Sequence, residues 1–250
     1  MSLTVGSLFS GIGGFDLAAE RVGWEIKWQV EIDDYCTRVL EKHWPNVRRY
    51  RDVREHNKYE PVDVLCGGFP CQDISHAGRR AGIDGERSGL WSEFARMVRE
   101  IRPRVVVVEN SAALLSRGMG RILGDMADVG FDAEWSVLSA CAMGAPHTRE
   151  RVFIVAYPRQ ERGRSRIFDR GTPSLPWATD QFNRSAEESC RARLATWWKT
   201  EPSVGRLAYG VPNGVGQLGG YGNAVIPQVV EWIFRQIQAY EDSLKEWGLR

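Results

Sequence analysis

The stretch that decides the fold is Val62-Asp63-Val64-Leu65-Cys66-Gly67-Gly68-Phe69-Pro70-Cys71-Gln72. Its apolar start, residues 62–66, reads as a short buried strand. The glycine pair and Pro70 then force a sharp turn at the strand's carboxyl end. In open α/β sheets that end of a strand is where ligands bind and chemistry is done. A cysteine there has two readings. As a thiolate with its pKa lowered by a following helix it is a strong nucleophile. As a small buried hydrophobe it is simply packed, like most free cysteines.

Working outward, short apolar runs alternate with helical periodicity through residue 157. Strands are predicted over 4–9, 27–31, 62–66, 105–109, 133–138 and 152–156, with helices over 14–22, 33–43, 90–101 and 121–129. This alternation predicts an α/β fold with a mainly parallel sheet and helices on both faces. The pattern fades at Pro158. From 158 to 200 there are eight arginines and one lysine against five acids, a local excess of +4 in a chain whose net charge is +1. Pro173, Pro176 and Gly171 break that segment further. It reads as an inserted, loop-rich lobe. After a second glycine-rich stretch, Val229, Ile233, Ile237, Tyr240 and Leu244 follow helical spacing. The expected organisation is therefore a domain made of 1–157 and 222–250, interrupted by a lobe over 158–221.

Composition sets the outer limits. With 250 residues, 43% hydrophobic and 26% charged, the chain can hold one sizeable core and a smaller lobe. The five cysteines (36, 66, 71, 141 and 190) form an odd set without CxxC spacing. That argues against a disulfide framework or a structural metal site, and fits a reducing compartment. The first residues lack the basic start and long apolar run of a signal peptide. No run approaches the roughly 18 apolar residues of a membrane span.

Three further motifs carry chemistry. Phe9-Ser10-Gly11-Ile12-Gly13-Gly14 follows the first strand, and Glu31 ends the second, 20 residues after Gly11. Glycines at a strand-to-helix turn admit a ligand to the backbone, and an acid at that distance suits the hydroxyls of a ribose. Together they point to an adenosine-containing cofactor, without separating NAD from S-adenosylmethionine. Glu109-Asn110 ends the apolar run of Val105-Val106-Val107-Val108. Burial would raise the acid's pKa and let it give a proton to a ring nitrogen. The alternative is an acid tied to loop amides. Arg149 and Arg151 open the last predicted strand of the sheet, on one side of it. Two guanidinium groups there can orient a carboxylate or grip an anion, or can line a solvated edge.

In order along the chain, LFSGIGGFDLA (8–18), GGFPCQDIS (67–75), VVVEN (106–110), RERVFIVA (149–156) and GNAVIPQV (222–229) resemble the DNA (cytosine-5)-methyltransferases. The resemblance implies a Rossmann-like doubly wound sheet, the fold of S-adenosylmethionine-dependent methyltransferases, with 158–221 as a small target recognition lobe. It implies that Cys71 adds to C6 of a flipped-out cytosine, that Glu109 protonates or hydrogen-bonds N3, and that Arg149 and Arg151 fix the base and the acid. It implies cofactor contacts from Phe9, Gly11, Gly13, Gly14, Glu31, Asp52, Pro70 and Asn223, with Phe9 beside the adenine and Asp52 near its amine.

The expected substrate is double-stranded DNA, with no metal and no membrane. A cytoplasmic, bacterial or phage-encoded monomer is the matching expectation. Arg79 and Arg80, in the glycine-rich loop after Cys71, are candidate phosphate contacts on a mobile lid. Arg159, Arg162, Arg164 and Arg166 are candidate DNA contacts in the basic lobe. Two departures stand out. The family often has valine after Glu-Asn, whereas this chain has Ser111, and only 64 residues separate Tyr157 from Gly222, short for a recognition region. Two rivals remain, an RNA cytosine-5 methyltransferase on the same fold and a non-enzymatic subunit that keeps it. The intact Cys71, Glu109 and Arg149 argue against the second.

Overall fold

The computed structural model describes residues 2–55, 58–70, 90–143, 149–159, 168 and 224–246. Among these, seven strands form one sheet in the order β3-β2-β1-β4-β5-β7-β6. The strands are β1 (Thr4–Leu8), β2 (Glu25–Val30), β3 (Arg48–Tyr50), β4 (Val64–Gly68), β5 (Val105–Ser111), β6 (Phe131–Ser139) and β7 (Glu150–Pro158). β1 to β5 pair in parallel. β7 runs antiparallel to both β5 and β6. The helices are α1 (Gly14–Arg21), α2 (Asp34–His43), α3 (Leu90–Ile101), α4 (Leu114–Arg117), α5 (Met119–Asp128) and α6 (Pro227–Glu246). The chain reverses its winding between β1 and β4, so a crevice opens above the carboxyl ends of those strands.

The period-2 alternation of each strand separates two cores. Leu8, Leu65, Val106, Val108, Val152 and Ile154 pack with Trp91, Phe94 and Met97 of α3 and Ile122 and Met126 of α5. Val5, Val64, Cys66, Val105, Val107, Phe153 and Val155 face the other way, onto Phe15 and Ala18 of α1 and Ile233, Phe234 and Ile237 of α6. Helix α6 thus returns to the sheet, as its spacing predicts. Its Phe234 stacks on Trp24, with ring centroids 4.5 Å apart.

Three features add to the sequence reading or differ from it. β3 has only three residues, two of them arginine, so no apolar alternation announces it. The β6–β7 pair is antiparallel, a direction that the expectation of a mainly parallel sheet left open for each pair; a short connection cannot make the crossover that parallel strands need. β4 runs through Gly67 and Gly68 rather than ending at Cys66. These glycines carry no apolar signal, yet their backbones pair with Val108 and Glu109. Of the described cysteines, Cys36 and Cys66 are free. Cys141 is disulfide-bonded. No described helix is long and apolar enough to cross a membrane.

Candidate active site

β4 and β5 bring two of the motifs together. Gly68 pairs with Glu109 across the ladder, and a Cβ on Gly68 would lie 2.6 Å from Glu109 Oε2. The absence of a side chain at 68 is what leaves room for the carboxylate. Glu109 is 7% exposed. Arg151, on the antiparallel neighbour β7, donates from Nε to its Oε1 at 2.9 Å. Burial pushes the Glu109 carboxyl up to about 7, against the opposing pull of the Arg151 and Arg149 guanidinium groups. An acid so placed is present in both protonation states near neutrality.

Asn110 points to the opposite face and does a different job. Its Nδ2 donates to the Phe69 carbonyl at 3.1 Å, and its Oδ1 accepts from the Ser111 amide at 2.8 Å. The end of β5 therefore holds the Phe69-Pro70 turn that leads to position 71. Phe69 is also buried against Trp91 of α3, with centroids 5.4 Å apart. The turn is fixed by a hydrogen bond on one side and an aromatic contact on the other.

The second half of the site lies above β1 and β2. Phe9 and Gly11 both adopt left-handed backbone, with φ of 51° and 55°. For Phe9 this costs about 1–2 kcal/mol. Glu31 closes the turn, accepting from the Gly11 amide at 2.6 Å and the Asp33 amide at 2.8 Å. Burial raises its pKa, and those amide hydrogen bonds work against the rise. The three glycines have different reasons. A Cβ on Gly13 would strike the Trp44 ring, and one on Gly14 would strike Val225. Only Gly11 has open space on that side, with nothing within 4 Å. A ligand at this turn therefore has Gly11 as its point of close approach, while Gly13 and Gly14 serve packing.

Residues 224–226 join the two halves. Val225 rests on Gly14, and Arg149 donates from Nη2 to the Ala224 carbonyl at 2.9 Å. The two arginines thus divide their work. Arg151 holds the acid, and Arg149 ties the segment before α6 to the sheet.

Other expected residues are less central. Asp52 forms an ion pair with Arg54 at 2.6 Å, and that hydrogen bond holds its carboxyl below the ordinary value. Pro70 sits at the exit of β4. Arg159 pairs with Asp132 at 3.2 Å. It lies at the far end of β7 from Arg151, about 25 Å along the strand, so its placement gives no support to a role beside the acid. Cys71, Arg79, Arg80, Arg162, Arg164, Arg166 and Asn223 lie outside the described residues.

Sequence reasoning missed three contributors. Ile32 is 59% exposed beside Glu31, an apolar wall next to the acid. Gly68 and the Asn110 side chain act through contacts that no local pattern shows. An exposed isoleucine just after a strand-end acid was the one signal available. Among the described residues no group of three or more histidines, cysteines or acids could hold a metal.

Comparison with known proteins places the chain in a family. The family model for C-5 cytosine-specific DNA methylases matches residues 3–199. The Type II methyltransferase M.NgoFVII of Neisseria gonorrhoeae is 34% identical over 157 residues, 60% of this chain and 42% of that protein. M.Eco47II of Escherichia coli, also a Type II methyltransferase, is 36% identical over 162 residues, 61% of this chain and 39% of that one. The chain thus spans less than half the length of these relatives. Among solved structures, the Dnmt2 methyltransferase of S. pombe superposes with a TM-score of 0.55 at 16% identity, over 71% of this chain and 58% of that one. This last likeness supports the fold.

Proposed function

The chain belongs to the C-5 cytosine-specific DNA methylases, and from that premise we propose that it methylates C5 of cytosine in double-stranded DNA. The observation that carries the reading is Glu109, held by Arg151 and pushed up to about 7 at the end of β5, beside the turn that leads from β4 to Cys71.

In this reading the Cys71 thiolate adds to C6 of the base while the Glu109 carboxyl gives its proton to N3. The ring's electron pair is thereby placed on C5. S-adenosylmethionine, when bound, would supply the methyl group to that carbon and leave as S-adenosylhomocysteine. Transfer of the C5 proton to solvent water then expels the thiolate and restores the aromatic ring, and Glu109 recovers its proton from N3. Arg151 keeps the carboxyl aimed at the base throughout and limits how far burial raises its pKa. C6 is hidden inside a stacked duplex, so the base is taken out of the stack for the thiolate to reach it.

The residues above β1 and β2 fit the cofactor. Gly11 leaves open space at the turn, Glu31 presents a carboxylate there, and Ile32 offers an apolar surface for an adenine. The Glu31 oxygens each accept one amide and retain further acceptor capacity for ribose hydroxyls.

Labelled S-adenosylmethionine supplied with unmethylated duplex DNA and, separately, with transfer RNA tests the substrate. Label is expected at C5 of cytosine in DNA, and label in RNA alone would overturn the reading. A duplex carrying 5-fluorocytosine is expected to trap the wild-type chain in a complex that survives denaturation. Cys71→Ser is expected not to be trapped.

A further inference from the structure

Ser111 ends β5 two residues beyond Glu109. Side chains two apart on a strand share a face, so Ser111 lies on the Glu109 side. Its cross-strand partner is Arg151, the residue that grips Glu109. Directly opposed side chains on one face are neighbours. The hydroxyl is buried, and it has no hydrogen-bond partner among the described residues. A buried hydroxyl left unpaired is costly, and an apolar residue would avoid that cost. The position next to the reacting acid supplies a reason for it.

We propose that Ser111 is a further base-positioning residue, its hydroxyl donating a hydrogen bond to an acceptor oxygen of the flipped-out base held at Glu109. The inference rests on the methyltransferase reading. The chemistry follows from what the site already provides. Glu109 serves the ring nitrogen and, once ionised, accepts from an adjacent exocyclic amine. A cytosine also carries a carbonyl oxygen next to that ring nitrogen, and this oxygen needs a donor. Arg151 spends its Nε on Glu109 and its Nη1 on the Glu150 carbonyl, which leaves Nη2 as one donor for that oxygen. The oxygen has a second lone pair, and Ser111 brings a second donor on the same face. Because the contact forms only after the base has left the duplex, it contributes to turnover rather than to initial DNA binding.

The test compares wild type with Ser111→Ala, Ser111→Val and Ser111→Thr, using labelled S-adenosylmethionine and unmethylated genomic DNA, so that the recognition sequence need not be known. Ala and Val remove the hydroxyl, whereas Thr keeps it in nearly the shape of Val. Loss of one such hydrogen bond is expected to lower kcat about five- to tenfold in Ala and Val, with KM for DNA within about twofold of wild type and most of the rate retained by Thr. The melting temperature of the free Ala variant is expected to equal or exceed that of wild type, because an unpaired buried group has been removed. Wild-type kcat in Ala and Val overturns the proposal. So does a loss that Thr does not rescue and that follows a fall in melting temperature. If the wild-type chain itself transfers no label to DNA, the methyltransferase reading fails, and the role of Ser111 fails with it. A labelled wild type with unaffected variants removes Ser111 alone.

Discussion

Glu31 and Glu109 occupy equivalent places, each at the carboxyl end of a strand and each with its pKa raised by burial. Their partners differ. Glu31 is met by main-chain amides of Gly11 and Asp33. Glu109 is met by the Arg151 side chain, on the third strand in line from β1. Amides at fixed positions hold a carboxylate as part of the backbone's own turn, which suits an anchor for a ligand. A guanidinium on a neighbouring strand offsets burial without joining the turn. That leaves the acid near 7 and able to exchange a proton. On the proposed reading, the same residue type serves as a binding group at one strand end and as a proton carrier at the other.

The sharpest way to break this contrast is Glu109→Gln. It keeps the shape of the side chain and removes the transferable proton. Turnover is expected to fall by about two orders of magnitude or more, while cofactor affinity measured by titration calorimetry stays within about twofold. Unchanged turnover would make Glu109 an anchor like Glu31. Gly68→Ala attacks the same carboxylate from β4. The new Cβ would lie 2.6 Å from Oε2, so the acid must shift. A displacement of that kind is expected to lower turnover about tenfold or more, with circular dichroism confirming the fold.

Glu31→Ala addresses the other member of the pair. It is expected to weaken S-adenosylmethionine about tenfold and to leave duplex binding unchanged, as read by calorimetry and by fluorescence anisotropy. An equal loss of both would mean that Glu31 supports the whole fold.

The smallest expected effect is on stability against pH. An acid whose folded pKa stands at about 7, above its ordinary 4.5, contributes stability that is fully present below 4.5. That contribution is lost as pH rises through 7. Glu109→Gln has no such dependence. The melting temperature of the variant is therefore expected to gain a few degrees on wild type between pH 4.5 and pH 8. A difference that is flat across that window would show that Arg151 compensates the ionised acid fully.

Much of the fold was legible in local pattern. Helix α3 has the bounds that its periodicity predicts, Leu90–Ile101. Helix α2 begins where Asp33 caps the Cys36 amide at 2.8 Å. β3 was not legible, since Arg48-Arg49-Tyr50 pairs through its backbone beside β2 and carries no alternation of its own. At the site, Glu109, Arg151 and Glu31 could be named from strand-end position and residue chemistry. The division of labour between Arg149 and Arg151 could not. They stand two residues apart at the start of β7, and only the antiparallel register of β7 with β5, which sets Arg151 opposite Ser111, decides which reaches the acid. Nor could the three turn glycines be told apart, because Trp44 and Val225, which crowd two of them, come from other parts of the chain.

The sequence by itself determined most of the elements, the alternation that makes the sheet two-faced, and which side chains are candidates for the site, because these depend on neighbours within a few residues. The tertiary structure decided which strand ends meet, that Asn110 secures the turn before position 71, and that Glu109 titrates near neutrality. Those properties depend on burial and on partners from distant strands, and long-range pairing is set by the packing of the whole sheet rather than by any local stretch.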